Sequence, residues 1–291
     1  MNNLNPRFKR TEHRNKYREW FPASFDQFVL EADHIASALE GKGRVALFRG
    51  HANVEWFLDS TFLRYAINHL FEIPIHTELN DEIRHSQLFH RAVASLVLLK
   101  FGPICRPSPQ AFEAEKRDGI DPWYEWLKRI QQYPEEDMRI LRGSFFIDFT
   151  MNLDVALYFS VFEGRGDERR ISSGHGALWI YDPQSTQNFY DGKVIDILNL
   201  MQGDDFINGV KTFPLIFHPP RQTPQKRAIN QQPVYVAQMD YRYDLAELLN
   251  SYGNEKAERV FTKLILHKDF KKKAAYYLEE RGITEAFVYP E

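Results

Sequence analysis

Apolar residues recur along this chain with two periods, and the change of period separates helical from extended segments. Ser24 and Gln27 have capping-box spacing, and Phe28, Ala32, Ile35 and Leu39 follow at steps of four, three and four. They predict a helix ended by Gly41 and Gly43. Val45–Phe48 reads as a short buried strand running into Arg49-Gly50. Ser60 or Asp59 can cap a helix containing Phe62, Leu63 and Ile67, and a longer helix follows with Leu88, Phe89, Val93 and Leu96 on its inner side. Pro103, Pro107 and Pro109 break the chain after it. Asp121-Pro122, a cap followed by proline at the first helical position, opens a helix with Trp126 and Ile130 inside. Pro134-Glu135-Glu136-Asp137 is a second such start, its acids complementing the helix dipole.

From Phe145 onward the apolar runs shorten. Phe145–Ile147, Ala177–Tyr181, Val234–Ala237 and Val260–Leu266 read as strands, and Phe287–Tyr289 as a last one. One helix carries Val155, Ala156, Tyr158, Phe159 and Phe162, and a terminal helix runs from Phe270 to Arg281, closed by Gly282. Glu163–Gly176, rich in glycine and holding Arg165, Arg169 and Arg170, reads as an exposed loop, and Thr212–Asn230 as a long irregular one. Tyr276, Tyr277, Trp123 and Trp126 sit at helical spacing and read as core. Helices dominate the first half and strands the second, without an internal repeat, so the expected class is α+β: N-terminal helices packed on a mixed β-sheet. A polar arm, residues 1–23, precedes a single domain, 24–291. Its first eighteen residues set Arg7, Lys9, Arg10, Arg14, Lys16 and Arg18 against Glu12 alone. They form a solvated arm or an electrostatic foot for an anionic partner.

Composition narrows the function classes. Hydrophobic residues are 43% and charged residues 26%, the profile of a soluble globular protein. Lys and Arg total 37 against 40 for Asp and Glu, a net charge of −3, which excludes a wholly basic nucleic-acid-binding surface but not a local patch. A lone cysteine, Cys105, allows neither an internal disulfide nor a cysteine-based zinc site. No apolar run approaches 18 residues and no secretory signal begins the chain, so a cytoplasmic protein without membrane contact is expected. Phosphate-binding loops, Gly-x-Gly-x-x-Gly, Gly-x-Ser-x-Gly and His-Glu-x-x-His are absent. His85 and His90, five apart, diverge on a helix, and no metal site is expected.

Three segments place polar groups where folding alone does not demand them. Phe48-Arg49-Gly50-His51 puts an arginine fork beside a glycine that lets a ligand approach, which suits a pyrophosphate or carboxylate; on motif shape alone the plainer reading is an arginine that closes a sheet edge by pairing with an acid. In Ile147-Asp148-Phe149-Thr150, Asp148 and Thr150 share one side of an extended strand, and Asp148, after three large apolar residues, needs a partner such as Arg49. Thr150, Asn152 or Asp154 caps the next helix. In Arg227–Tyr235, Gln231 and Gln232 offer amide groups at a strand mouth, or simply face water.

Together with Trp56-Phe57-Leu58, Phe62-Leu63-Arg64, Ala156-Leu157-Tyr158-Phe159, Gly176–Ile180 and the closing Gly282-Ile283-Thr284-Glu285, these segments resemble the FRG-domain family over about residues 25–291. Two departures stand out: Met138-Arg139-Ile140-Leu141 replaces a Gln-His-x-Gly element, and Pro233 replaces the glycine after the paired glutamines. The order of Arg49, Asp148-Phe149-Thr150 and Gln231-Gln232 is also similar to ADP-ribosyltransferases of the arginine-serine-glutamate type.

That resemblance implies a split, bent mixed sheet with NAD as substrate in its cleft. Arg49, Gly50, His51, Thr150 and Arg64 would bind the nucleotide, and Asp148, Gln231 and Gln232 would serve catalysis. The implied function is ADP-ribose transfer to a protein or nucleic acid, or NAD hydrolysis, as in a toxin or anti-phage effector. The alternative is a non-catalytic nucleotide or nucleic-acid binding module on the same fold. The two glutamines carry no charge where a glutamate would stabilise a ribose cation, a loss of about two decades in rate unless Asp148 takes that role.

Overall fold

The computed structural model describes residues 17–74, 79–107, 121–132, 141–186, 189–190, 193–210, 215–217, 226–252 and 260–290. The cations from Arg7 to Lys16, Pro109, and the expected helix start at Pro134–Asp137 lie outside them. The chain is mixed α+β and forms two compact units, residues 1–54, 150–187 and 246–291 in the first, 55–149 and 188–245 in the second. Its strands, in chain order, are β1 (Arg18–Trp20), β2 (Leu47–His51), β3 (Phe146–Thr150), β4 (Phe162–Glu163), β5 (Arg170–Ile171), β6 (Gly176–Tyr181), β7 (Phe189–Tyr190), β8 (Leu215–Phe217), β9 (Pro233–Ala237) and β10 (Phe261–Leu266).

In the first unit β1 lies parallel to β10, β10 antiparallel to β6, and β6 antiparallel to β2. The basic arm is therefore shorter than the sequence suggests, since Arg18–Trp20 belongs to the sheet. One face of this sheet is apolar. Phe48, Leu178, Ile180, Leu264 and Leu266 pack there with residues of the helices Phe25–Glu40, Leu153–Val161 and Lys271–Glu280. The first helix follows its sequence signals: Ser24 accepts from Gln27 N, the Gln27 side chain accepts from Ala23 N, and Phe25, Phe28 and Ala32 are buried.

Helix Leu153–Val161 lies unusually close to the sheet. A β-carbon on Gly50 would fall 1.8 Å from Ala156 O, and one on Gly176 would fall 2.2 Å from Ser160 O. With both positions bare, Ser160 Oγ bonds Ala156 O at 3.1 Å and Ala177 O at 2.8 Å. Asn152 caps the helix by accepting from Asp154 N and Val155 N. Two expectations are revised here. Glu163–Gly176 is largely exposed, as expected, but contains the short antiparallel β4–β5 hairpin, with Ser172 buried. Residues Glu285–Val288 form a helical turn capped by Thr284 instead of a last strand, because the threonine side chain satisfies Phe287 N.

The second unit orders its strands β3-β9-β8-β7, with β9 antiparallel to β8 and β8 parallel to β7. Its core joins Phe62, Leu63, Phe89, Val93, Val97, Phe101, Tyr124, Phe145 and Tyr235. Along the helix Gln87–Phe101 the buried row is Phe89, Val93, Val97, Phe101, at steps of four. That row leaves Leu88 at 77% exposure, correcting its expected place on the inner side. Asp121 Oδ1 caps the helix Pro122–Gln132 by accepting from Trp123 N. The expected loop Thr212–Asn230 holds β8 and a short helix, Lys226–Gln231. Among the described residues no helix is long and apolar enough to cross a membrane.

Candidate functional site

In the first unit Arg49 stands at the end of a row of directly paired residues crossing four strands: Glu19, Lys263, Trp179, Arg49. Strand alternation puts this row on the face opposite Phe48, Leu178 and Leu264. Lys263 Nζ reaches Glu19 Oε1 at 3.1 Å and lies 5.0 Å from the centre of the Trp179 ring. Arg49 Nε donates to His51 Nε2 at 3.0 Å, and Trp179 Nε1 points at His51 Nδ1 at 3.4 Å. Both are obligate donors, and a neutral imidazole has one acceptor nitrogen, so the shorter bond to Arg49 takes precedence. Lys263, Trp179 and His51 are buried and Arg49 is half-buried.

Two nucleotide-binding assignments change here. Gly50 faces the helix Leu153–Val161, whose Ala156 carbonyl fills the space a side chain would need, so this glycine serves helix packing. Thr150 lies opposite Phe48 in the strand register and therefore shares the face of Phe48, whereas Arg49 points to the other face. The Thr150 hydroxyl is buried and accepts from Asn152 N, turning the chain into its helix. The structure thus brings Arg49 and His51 together and leaves Thr150 on the other side of the sheet.

In the second unit Asp148 acts electrostatically on Arg64 and is held by a glutamine. Gln131 Nε2 donates to Asp148 Oδ1 at 2.8 Å and to Phe146 O at 3.0 Å, so one amide holds both the strand and its carboxylate. Gln131 Oε1 accepts from Ser144 N and Oγ. Arg64 donates to Asp59 O at 3.1 Å and to Thr61 Oγ1 at 3.1 Å. Burial lowers its pKa against the opposing pull of Asp59 and Asp148. Tyr124 and Tyr235 meet edge to face at 5.5 Å, both buried. Burial pushes both hydroxyls far above their ordinary range, and Asp148 adds to each shift, while Arg227 pulls Tyr235 the other way. Asp148, Arg64 and Arg227 are half-buried, and Asp148 and Arg227 both act electrostatically on the buried Tyr235 hydroxyl within one unit.

A fully buried ion pair supports this cluster. Arg84 Nη2 lies 2.5 Å from Asp59 Oδ2, and Gln238 Nε2 donates to Asp59 Oδ1 at 3.1 Å. Gln231 ends its short helix half-buried, and Gln232, exposed, turns the chain into β9 with a φ of 44°. Sequence reasoning passed over Tyr124, Gln131, Trp179 and Lys263. Gln131 carries no motif, and Lys263 sits in a strand-like apolar run that reveals no register. Among the described residues no cluster of His, Cys, Asp and Glu could hold a metal ion. No family model, curated protein or solved structure matches this chain.

Proposed function

We propose that this chain binds a nucleotide of the NAD type at the Arg64–Asp148–Arg227 cluster and cleaves its nicotinamide–ribose bond, on a fold of the ADP-ribosyltransferase kind. The observation that carries the reading is Asp148, a half-buried strand carboxylate oriented by Gln131 and within electrostatic reach of Arg64. A carboxylate so held opposes the positive charge that develops on the ribose as the carbon–nitrogen bond breaks. The bonding pair leaves with nicotinamide, and water or an acceptor hydroxyl adds to the ribose carbon and releases its proton. Arg64 and Arg227 supply forked donors for the pyrophosphate. In solution, wild-type protein incubated with NAD should release nicotinamide, and Asp148→Asn should slow release by about a hundredfold while NAD still raises the melting temperature. Intact NAD after prolonged incubation at high protein concentration would overturn the catalytic reading.

A second reading, nucleotide binding without turnover, is favoured by one observation: Asp148 already accepts a bond from Gln131 and interacts electrostatically with Arg64, and the glutamine pair is uncharged. It predicts thermal stabilisation by NAD, weakened in Arg64→Gln, with no nicotinamide released.

A further inference from the structure

The first unit carries a concave site made only of its own residues and independent of the reading above. A groove of about 630 Å³ opens between the β4–β5 hairpin and the helix Lys271–Glu280. That volume is in the range of small-molecule sites. Lys272, Ala275, Tyr276 and Glu279 enter it from one helix face, at the i, i+3, i+4, i+7 spacing. Tyr276, expected in the core, is instead 69% exposed, its ring presented to the groove. Ile171, also exposed at 38%, adds apolar surface on the opposite side.

Arg169 is the built element. Its guanidinium lies 3.9 Å from the centre of the Phe162 ring, and its Nε donates to Tyr158 Oη at 3.1 Å. Those contacts fix the plane of the fork, while its two terminal nitrogens make no hydrogen bond among the described residues. Glu285 comes within 4.0 Å of Nε and accepts from Gly166 N at 2.6 Å. Lys272 Nζ and the Glu279 carboxylate likewise make no bond among the described residues. The groove therefore offers two cations, one of them facing Glu285 at 4.0 Å, an aromatic face, and a second carboxylate, Glu279, one helical turn beyond that face.

We propose that this groove binds a nucleoside monophosphate. A phosphate monoester carries about −1.5 to −2 at pH 7 and so answers Lys272 together with Arg169, whose charge Glu285 offsets only from 4.0 Å, better than a singly charged carboxylate ligand does. A planar fork held in place suits phosphate oxygens. Tyr276 stacks the base, a contact open to any base because each has a π face. Glu279 decides between a nucleotide and a phosphotyrosine peptide, because ribose hydroxyls donate to a carboxylate and a phenyl ring cannot.

The test is titration calorimetry of the full chain with AMP, adenosine, inorganic phosphate and a phosphotyrosine peptide. AMP should bind more tightly than any of the others. Lys272→Gln, at an exposed position without bonds among the described residues, should weaken AMP by about tenfold, and Arg169→Lys should do so with the charge kept. Tyr276→Ser should weaken AMP and leave phosphate unchanged, and Lys273→Gln, whose side chain pairs with Asp26 instead of lining the groove, should leave AMP binding unchanged. Absence of AMP binding at millimolar concentration would overturn the proposal. So would AMP binding indifferent to Lys272→Gln and Tyr276→Ser, or a phosphotyrosine peptide binding more tightly than AMP.

Discussion

Gly50→Ala separates two explanations of the glycine in the Phe-Arg-Gly element, room for a ligand and room for a helix. The added β-carbon would meet Ala156 O at 1.8 Å, Ser160 N at 2.7 Å and Ser160 Oγ at 2.8 Å. Ordinary contact begins at 3.4 Å, so the helix Leu153–Val161 must retreat by about 1.6 Å. That helix is buried on most sides, through Val155, Ala156, Leu157, Tyr158, Ser160 and Val161, and its retreat loosens contacts along its whole length. Overpacking against side chains costs about 1–3 kcal/mol, and here the obstacle is backbone, so we expect at least about 3 kcal/mol. Loss of the 2.8 Å bond from Ser160 Oγ to Ala177 O adds about 1 kcal/mol. The urea midpoint of the variant measures the sum. Gly174→Ala is the control, because nothing lies within 4 Å of its β-carbon, and it should be neutral or stabilising by up to about 1 kcal/mol. Gly176→Ala pushes on the same helix at Ser160 O, so the double variant should cost less than the two single costs added. A Gly50→Ala protein as stable as the Gly174→Ala control, yet unable to bind nucleotide, would refute the packing argument and return the glycine to the ligand.

Three further outcomes follow from the same geometry. Arg84→Met leaves the Asp59 carboxylate buried without its 2.5 Å partner and should cost about 3–5 kcal/mol in chemical denaturation; an unchanged midpoint would contradict it. Gln232→Gly relieves a non-glycine residue at a φ of 44° and should stabilise by about 1 kcal/mol, and a destabilised variant would show that the glutamine side chain holds the turn. Burial lowers Lys271 from its ordinary 10.5 to about 8, with Glu163 pulling the other way and Nζ donating to Ala52 O and Ser172 Oγ. The folded chain holds this proton less tightly than the unfolded chain, so the penalty is full below about pH 8 and lifts as pH rises toward 10.5. Relative to Lys271→Met, wild-type stability should climb across that window by roughly 2 kcal/mol, and parallel midpoint-against-pH curves would exclude it.

Local chemistry in the sequence determined much of the secondary structure. The Ser24 cap with its phenylalanine and alanine spacing, the Asp121-Pro122 start, Asn152 before its helix, and the apolar runs at 177–181 and 261–266 all act within a few residues, and each appears where its pattern points. Arg64 and Asp148 were legible as polar residues beside strongly apolar ones, but nothing local ties them to Gln131, Tyr124 or Tyr235. Tertiary packing decided those partners, and it also decided which face each strand residue takes. Arg49 and Thr150 read alike in sequence, and only the pairing of Phe48 with Thr150 sends them to opposite sides. The same holds for the three lysines opening the last long helix: Lys271 turns inward to Ala52 O, Lys272 faces the groove, and Lys273 reaches Asp26. Three consecutive residues on a helix point about 100° apart, so identical side chains meet a buried carbonyl, a cavity and solvent according to what the rest of the chain packs around them.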